Sequence, residues 1–140
     1  MATFKRVEDI EAWKTTREIV RSVYSCSSAG PFARDFGLRH QLRRAAVSAM
    51  SNLAEGFERG GIAEFVQFLA IAKGSLGEVE TQLYVAFDQR YVTPATLEAL
   101  LQQTAAAKRM ISGLMNYLRR CGHRGEKFKP PPNSKPETRN

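Results

Sequence analysis

The sequence predicts an all-α protein, an antiparallel up-down-up-down four-helix bundle with a disordered basic C-terminal tail. In four long segments the apolar residues recur with helical spacing, most regularly in the third and fourth, where the steps are of three and four. Such spacing places side chains on one face of a helix. Short breaks separate these segments, and no stretch alternates apolar and polar residues in the way of a strand. Long helices joined by short loops become antiparallel neighbours. We therefore expect one bundle domain over residues 1–120 and a tail over residues 121–140.

The first predicted helix covers about residues 9–27. The apolar or aromatic residues that recur on one side of it are Ile10, Trp13, Val20, Val23 and Tyr24. Asp9 is the expected N-cap, because a carboxylate at that position accepts hydrogen bonds from the first backbone N–H groups of a helix. A glycine–proline pair follows the segment. Since proline disfavours a helical conformation in the residue before it, the helix should end there.

The second predicted helix covers about residues 35–58 and carries two stripes of side chains. Its apolar stripe consists of Leu42, Ala45, Ala46, Ala49, Leu53 and Phe57. Its polar stripe consists of Gln41, Arg44, Ser48, Asn52, Glu55 and Arg59. At about 100° per residue the two stripes are roughly 140° apart around the helix. The apolar stripe predicts a core face, and the compact polar stripe indicates where a function or a subunit contact should be sought.

The third predicted helix, about residues 62–90, has the most regular apolar pattern. A heptad seam is formed by Phe65, Leu69, Ala72, Leu76, Val79, Leu83 and Ala86. Gly74 and Gly77 interrupt the segment, and each weakens an exposed helix by about 1 kcal/mol relative to alanine. Close approach of a neighbouring helix is the expected compensation for both glycines.

The fourth predicted helix covers about residues 94–120 and is followed by a change in composition. Thr93 is a suitable cap, and Pro94 is a suitable first helical residue. Residues 121–140 carry five basic and two acidic side chains together with four prolines. This basic, proline-rich composition predicts a disordered or extended tail.

Charge and cysteine usage narrow the class of protein. The chain has a formal net charge of +7, and a basic balance favours polyanionic partners. Cys26 and Cys121 form no metal-ligand motif, so we expect free thiols in a reducing compartment. The N-terminus lacks the apolar region of a signal peptide, and no segment has the roughly 18 apolar residues that a membrane span needs. These features predict a cytoplasmic protein without membrane contact.

Basic residues cluster on three of the predicted helices and are the candidates for phosphate contacts. They are Lys14, Arg17, Arg21, Arg39, Arg43, Arg119 and Arg120. Backbone-directed binding of nucleic acid uses such residues and depends on salt; a solubilising surface is the alternative. Most Phe and Tyr residues lie on or beside the predicted core seams, so the sequence gives only a weak indication of base stacking. His40 lies among arginines and is expected at the surface.

Polar residues of the second and third helices are expected to form one network, in a groove or at a subunit boundary. The set is Arg44, Ser48, Asn52, Glu55, Arg59, Ser75 and Glu78. Arg44 or Arg59 would pair with Glu55 or Glu78. A solvated face stabilised by ion pairs at i, i+4 is the alternative.

No constellation in the sequence indicates catalysis, a metal or a cofactor. Glu55 and Glu78 are the candidates for a general acid–base pair, but no histidine, cysteine or third carboxylate has a spacing that joins them. His40 and His123 lack the preceding Glu of a di-metal bundle motif, and the sequence has no glycine-rich phosphate loop or nucleophile elbow. We expect a protein that is not an enzyme, with no cofactor and no catalytic or metal-binding residue. An enzyme acting through the two glutamates stays as an alternative.

Several stretches of the sequence resemble one protein family. They are Asp9–Trp13, Gln41–Ser48, Ser51–Gly56 and Phe65–Leu76, with Phe4, Arg59, Glu78, Glu80 and Leu83 agreeing as well. The pattern is similar to the signature of the four-helix-bundle proteins called 23S rRNA intervening-sequence proteins, and the resemblance covers about residues 4–120. Many members have a proline where Ala49-Met50 stands, so the second helix is expected to be straighter here. The tail lies outside the family pattern.

The resemblance implies a small antiparallel bundle that assembles as a ring, a homopentamer. The polar residues that match the family motif would then organise the bundle and its subunit contacts. A related bundle, the accessory variability protein of diversity-generating retroelements, binds nucleic acid and partners a reverse transcriptase. No enzymatic activity is established for the family, and its name records a gene location inside ribosomal RNA genes without implying a ribosomal role.

The sequence therefore favours a non-enzymatic homo-oligomer that binds RNA or DNA through its basic surface. Replacing Arg39 and Arg43 together is expected to weaken that binding and to flatten its salt dependence. The alternative is an interaction scaffold that docks an unknown protein partner without nucleic acid. The choice between RNA and DNA stays open at this point, and so does the subunit number, since the exposed stripes fit a dimer nearly as well as a ring.

Overall fold

The computed structural model describes residues 4–123 of the 140-residue chain. In chain order its elements are a 3-10 turn at Val7–Asp9 and the helices α1 (Glu11–Cys26), α2 (Gly30–Arg34), α3 (Phe36–Arg59), α4 (Ile62–Asp88) and α5 (Pro94–His123). Residues 4–123 contain four long helices and no strand. The predicted all-α class is confirmed.

The four long helices pack side by side as an antiparallel up-down-up-down bundle, as predicted. α3 packs along α4, α1 packs against α3 and α5, and α4 packs against α5. The hydroxyl oxygens of Ser48 and Ser75 lie 3.1 Å apart and mark the register of α3 against α4. Because only a short connection separates Cys26 from Phe36, the end of α1 and the start of α3 lie at the same end of the bundle. We call it the Asp35 end, after a residue of that connection.

The core lies along the apolar stripes that the sequence predicts. All six residues of the α3 stripe and all seven residues of the α4 seam are buried. α1 contributes Ile19 and Val23, and α5 contributes Leu100 and Ile111. Burying an aliphatic or aromatic side chain stabilises the fold by about 1.5–3 kcal/mol. Contact between these apolar faces therefore holds the four helices together.

The connection from α1 to α3 contains a short helix, α2, which is too short to show a periodic pattern in the sequence. Pro31 lies in its first turn, where the fixed φ of proline suits a helix. Phe32 is buried and stacks on Tyr91 with 5.1 Å between the ring centres. Asp35 follows, and its Oδ1 accepts the backbone N–H of Leu38 at 3.1 Å. Asp35 is therefore the N-cap of α3.

Asp9 is not the N-cap of α1, so that prediction is wrong. The cap residue is Ile10, which has no side-chain acceptor and is buried in the core. The Asp9 carboxylate instead accepts the backbone N–H groups of Lys5 and Arg6, at 3.1 and 3.0 Å. These bonds close the preceding 3-10 turn, and α1 begins only at Glu11, after the chain has entered the core at Ile10.

The glycines of α4 differ from the expectation as well. A Cβ at Gly74 or Gly77 would meet no atom within 4 Å, so no other helix of residues 4–123 approaches either of them closely. The close approach is at Gly56 of α3, where a Cβ would lie 2.8 Å from Phe68 Cβ and 2.9 Å from Phe65 Cδ1. The predicted compensation is therefore wrong within the described part of the chain, where space is open beside both α4 glycines and Gly74 is exposed.

Besides the start of α1, two helix ends depart from the predicted bounds by two or more residues. α4 ends at Asp88, before the predicted residue 90. α5 continues to His123, because Leu118 and Cys121 extend its buried face. The predicted domain boundary at residue 120 thus falls inside α5. The disorder expected of the tail concerns residues 124–140, which lie outside the described residues.

Candidate nucleic-acid interface

A groove at the Asp35 end brings several basic side chains together. It is lined by Tyr24, Arg39, His40, Arg43, Arg44 and Val47. The groove has a volume of about 320 Å³, and none of its six lining side chains is acidic. We call it the basic groove. Its α3 residues recur at steps of three and four, so they lie on one face of that helix.

Arg43 fixes one wall of the basic groove. Its Nε donates to Ser27 Oγ at 2.9 Å, and its Nη2 lies 3.4 Å from both the Tyr24 carbonyl oxygen and Ser28 Oγ. The guanidinium also lies over the Tyr24 ring, 4.3 Å from the ring centre, which is a favourable cation–π distance. Arg43 therefore ties α3 to the end of α1, and only part of its donor capacity remains for a phosphate.

Arg39 lines the basic groove, and Phe36, which is not a lining residue, lies against Arg39. Arg39 Nη1 donates to the Ala33 carbonyl oxygen at 2.9 Å, and the guanidinium lies 5.1 Å from the centre of the Phe36 ring. Phe36 is 68 % exposed, the highest value among the large apolar residues that the structure describes. A guanidinium has five N–H donors, so Arg39 is oriented by one bond and keeps other donors for a ligand.

Arg44 lies between the basic groove and a second groove on the α3–α4 seam. The second groove, about 360 Å³ in volume, is lined by Gln41, Arg44, Ala45, Ser48, Glu78 and Gln82. We call it the polar groove. Arg44 is exposed and makes no hydrogen bond or ion pair with any residue from 4 to 123. The sequence predicts Arg44 as an assembly residue. In the structure it is also the arginine of the basic groove with the fewest polar and ring contacts to the rest of the described chain.

The predicted phosphate-binding residues of α1 lie outside the basic groove and have partners of their own. Lys14 pairs with Glu11 at 3.0 Å, and Arg21 pairs with Glu18 at 3.2 Å. Arg17 lies 5.9 Å from the centre of the indole ring of the preceding turn. The two carboxylates offset the positive charge of this face, which makes it a weaker attractor of phosphate than the groove.

Arg119 and Arg120 are exposed near the end of α5, at the opposite end of the bundle from the basic groove. At 1.5 Å per residue, Arg119 lies roughly 38 Å along the helix from Pro94, which is at the Asp35 end. The structure therefore places Arg39 and Arg43 in one groove and separates the other predicted basic residues from it.

Polar side chains meet along the seam between α3 and α4, where the sequence predicts a network. Asn52 Nδ2 donates to the Ser48 carbonyl oxygen at 2.8 Å and lies 3.1 Å from Ser48 Oγ, which in turn contacts Ser75. Farther along, Gln82 Nε2 approaches Gln41 Oε1 at 3.5 Å. Gln82 Oε1 is buried and has no hydrogen-bond partner among the described residues.

Arg59 pairs with one of its two predicted partners. Its Nε lies 2.9 Å from Glu55 Oε2, and its Nη1 lies 4.0 Å from Glu64 Oε2. These groups are about half exposed, and pairs of this kind contribute about 0.2–1 kcal/mol. Arg44 and Glu78 both line the polar groove, but within residues 4–123 they form no ion pair.

Glu55 and Glu78 do not come together as a carboxylate pair. Glu55 lies seven residues beyond Ser48, and Glu78 lies three residues beyond Ser75. Because the helices are antiparallel, these displacements add, so the glutamates are offset by about 15 Å along the bundle at 1.5 Å per residue. A general acid and base acting on one small group must both lie within hydrogen-bond reach of it, and this arrangement gives the enzyme alternative no support.

Two exposed aromatic residues at the Asp35 end were not anticipated from the sequence. Tyr24 is 42 % exposed and Phe36 is 68 % exposed, although most aromatic residues were expected beside the core. A signal for Phe36 exists in the sequence: it precedes Arg39 by three residues and Arg43 by seven, which places it on their face of the helix.

Residues 4–123 offer neither a metal site nor a membrane-spanning helix. No three His, Cys, Asp or Glu side chains among them lie close enough to bind one metal ion, and none of their helices is sufficiently long and apolar to cross a bilayer. Cys26 and Cys121 are free. Burial raises the pKa of the Cys26 thiol, and the opposing effects of a backbone hydrogen bond and of Arg43 are smaller. A thiol held in its neutral form is a weak nucleophile.

Fold and groove together define a small helical bundle with a basic face. The model of the 23S rRNA-intervening sequence protein family matches residues 8–113, and the chain belongs to that family. None of the curated proteins compared with the sequence matches it. A crystal structure of a protein of unknown function from the S23 ribosomal protein family of Bacteroides thetaiotaomicron is similar, with a TM-score of 0.68 at 18% identity over 74% of this chain and 97% of that chain. This distant likeness supports the fold alone.

Proposed function

We propose that this protein is a non-enzymatic homo-oligomer that binds nucleic acid, RNA or DNA, through the basic groove. The observation that carries the proposal is the convergence of Arg39, His40, Arg43 and Arg44 on one opening whose walls hold no acidic residue. Guanidinium groups bind phosphate oxygens through paired N–H donors. Lys14, Arg17 and Arg21, together with Arg119 and Arg120, are secondary contacts in this proposal.

The test is a titration of a fluorescein-labelled oligonucleotide with the protein at several salt concentrations. Replacing Arg39→Gln together with Arg44→Gln removes two cations of the groove and spares Arg43, which holds α1 to α3. We expect binding to weaken about tenfold at low salt, and the slope of log K against log salt to become shallower by about 1.4 for a single strand. Lys5→Gln with Arg109→Gln removes the same charge from exposed positions outside both the groove and the outer face of α4. Equal effects of the two double variants would reject the groove as the binding site.

The sequence predicts subunit contacts at the polar residues of the α3–α4 seam, but several of these residues bond to one another within the chain. We therefore assign the self-association in this proposal to the outer face of α4. Ile71, Tyr84 and Val85 are exposed there, and Gly74 and Gly77 leave the backbone open beside them. At 1.5 Å per residue Ile71 lies about 20 Å along α4 from Tyr84 and Val85. These apolar side chains would therefore contact a neighbouring subunit at two points, and the small residues between them would allow a second helix to approach closely. The family resemblance implies a ring of five copies. Such a ring repeats the basic groove, so individually weak contacts add.

The same face of α4 also favours a second candidate, an interaction scaffold that docks another protein without nucleic acid. In that case captured partners survive nuclease treatment, and the purified protein carries no polynucleotide detectable by ultraviolet absorbance. Loss of the partners on nuclease treatment would instead support the nucleic-acid proposal. We place the protein in the cytoplasm, because the free thiols of Cys26 and Cys121 fit a reducing compartment.

A further inference from the structure

We infer that the Asp35 end takes its nucleic acid as a single strand, with one base stacked on the ring of Phe36 and the neighbouring phosphates in the basic groove. This inference rests on the proposed function and specifies the form of the ligand. It is carried by the exposed aromatic rings, which stand beside the same arginines that form the groove.

Phe36 presents an open and well-fixed ring. It is the first residue of α3, directly after the N-cap Asp35, and it is 68 % exposed. The Arg39 guanidinium lies 5.1 Å from its centre, and Arg39 is itself held by the Ala33 carbonyl oxygen. The exposed surface of the ring that Arg39 does not cover is therefore available for a base to stack on.

A second ring repeats the arrangement on the other side of the groove. Tyr24 is 42 % exposed, and the Arg43 guanidinium lies 4.3 Å from its centre. Residues 4–123 contain three exposed aromatic rings, those of Tyr24, Phe36 and Tyr84, and two of them adjoin groove arginines. Aromatic rings that stack bases, set among cations that hold the backbone, are the recurring design of single-strand sites.

The geometry favours a strand over a duplex. Phe36 and Val47 are eleven residues apart on one face of α3, so this face extends roughly 16 Å. In a duplex the bases are paired and stacked internally, and a ring beside the groove reaches only the backbone. A single strand can instead turn a base onto Phe36 while its phosphates lie against Arg39 and Arg44. The two forms share the phosphate contacts and differ in the stacking contact.

The test compares a short single strand with the duplex of the same sequence, each titrated with the parent protein, Phe36→Leu and Phe36→Trp. Leucine keeps an apolar side chain but has no π face, so we expect about tenfold weaker binding of the single strand and unchanged binding of the duplex. Tryptophan keeps the stacking surface and should retain the parent's single-strand affinity. Met110→Leu is the control, because it changes an exposed apolar side chain that lies outside the basic groove and outside the proposed subunit face. RNA and DNA strands of one sequence, titrated in parallel, identify the polymer that the ring prefers.

The outcomes distinguish failure of the stacking inference from failure of the proposed nucleic-acid binding. No loss with Phe36→Leu, or an equal loss for strand and duplex, would overturn the stacking and leave the phosphate contacts of the groove standing. A changed oligomer mass of Phe36→Leu in light scattering would also overturn it, because the ring would then belong to a subunit contact. If the parent protein binds neither strand nor duplex, the proposed function falls together with the inference.

Discussion

The guanidinium of Arg43 on α3 lies 4.3 Å from the centre of the Tyr24 ring on α1. The same group donates a hydrogen bond to Ser27 Oγ, so one basic side chain joins two helices and lines the basic groove. Arg43 and Arg44 are adjacent and equally charged, but Arg44 makes no such contact within residues 4–123. Of these two groove arginines, Arg43 therefore has a structural role, whereas Arg44 is free to contact a ligand.

Replacing Arg43 should destabilise the bundle, whereas replacing Arg44 should not. Arg43→Ala removes a charge-assisted hydrogen bond and a cation–π contact, and we expect the free energy of unfolding to fall by about 2 kcal/mol. Arg44→Ala changes an exposed side chain and should stay within about 0.5 kcal/mol of the parent. Urea unfolding at one fixed protein concentration measures both. Equal losses would show that Arg43 does not join α1 to α3 in solution.

Adding a methyl group at Gly56 should disturb the contact between α3 and α4. A Cβ there would lie 2.8 Å from Phe68 Cβ and 2.9 Å from Phe65 Cδ1, so Gly56→Ala should cost about 1–3 kcal/mol through overpacking. Gly113→Ala is the control, because a Cβ at Gly113 meets nothing within 4 Å. That substitution should stabilise α5 by up to about 1 kcal/mol. Thermal unfolding of the two variants should move in opposite directions, and a stabilised Gly56→Ala would contradict the observed packing.

The hydroxyl of Tyr91 donates to Asp35 Oδ2 at 2.9 Å. Because of this bond, the stability of the fold should decrease when the pH becomes alkaline. The hydrogen bond to the carboxylate raises the pKa of Tyr91, with burial and the charge of Asp35 adding to it. A pKa raised in the folded state contributes stability that is present below the unfolded value of about 10 and is lost as the pH rises through the folded value.

We expect Tyr91→Phe to be less stable than the parent at pH 7–9 and the difference to shrink above about pH 10. Urea unfolding across this range measures the effect, and Tyr84→Phe, at an exposed ring, serves as the control. A constant difference between Tyr91→Phe and the parent at every pH would mean that the hydroxyl does not bond to Asp35.

The periodic parts of this fold were predictable, and the local exceptions were not. The apolar seam of α4 predicted both the helix and its buried face, because a strict spacing of three and four places all of these side chains on one face of a helix. Asp9 and Asp35 are both carboxylates next to helices, yet Asp35 caps α3 whereas Asp9 closes a turn. That difference depends on where Ile10 enters the core, which is determined by tertiary packing and not by the local sequence. The exposure of Phe36 depends likewise on a helix start that α2 and Asp35 fix together.

The outer face of α4 should carry the subunit contact. Ile71 is exposed in the single chain, so Ile71→Lys should leave the stability of an isolated bundle nearly unchanged. In a subunit contact the buried and unpaired charge would instead be costly, and we expect the assembly to dissociate. Light-scattering mass measures this, and Gln102→Lys, at an exposed position of α5, is the control. An unchanged mass for Ile71→Lys would move the contact away from this face.

The most direct test of the account is the mass of the protein by light scattering after size exclusion, with and without a short single-stranded oligonucleotide, at low and high salt. We expect a multiple of the 15.7 kDa chain mass that gains oligonucleotide at low salt and releases it at high salt. The variant carrying Arg39→Gln and Arg44→Gln should keep the oligomer and lose the uptake. An oligomer that takes up no oligonucleotide at any salt concentration would contradict nucleic-acid binding, and a monomer would contradict the assembly.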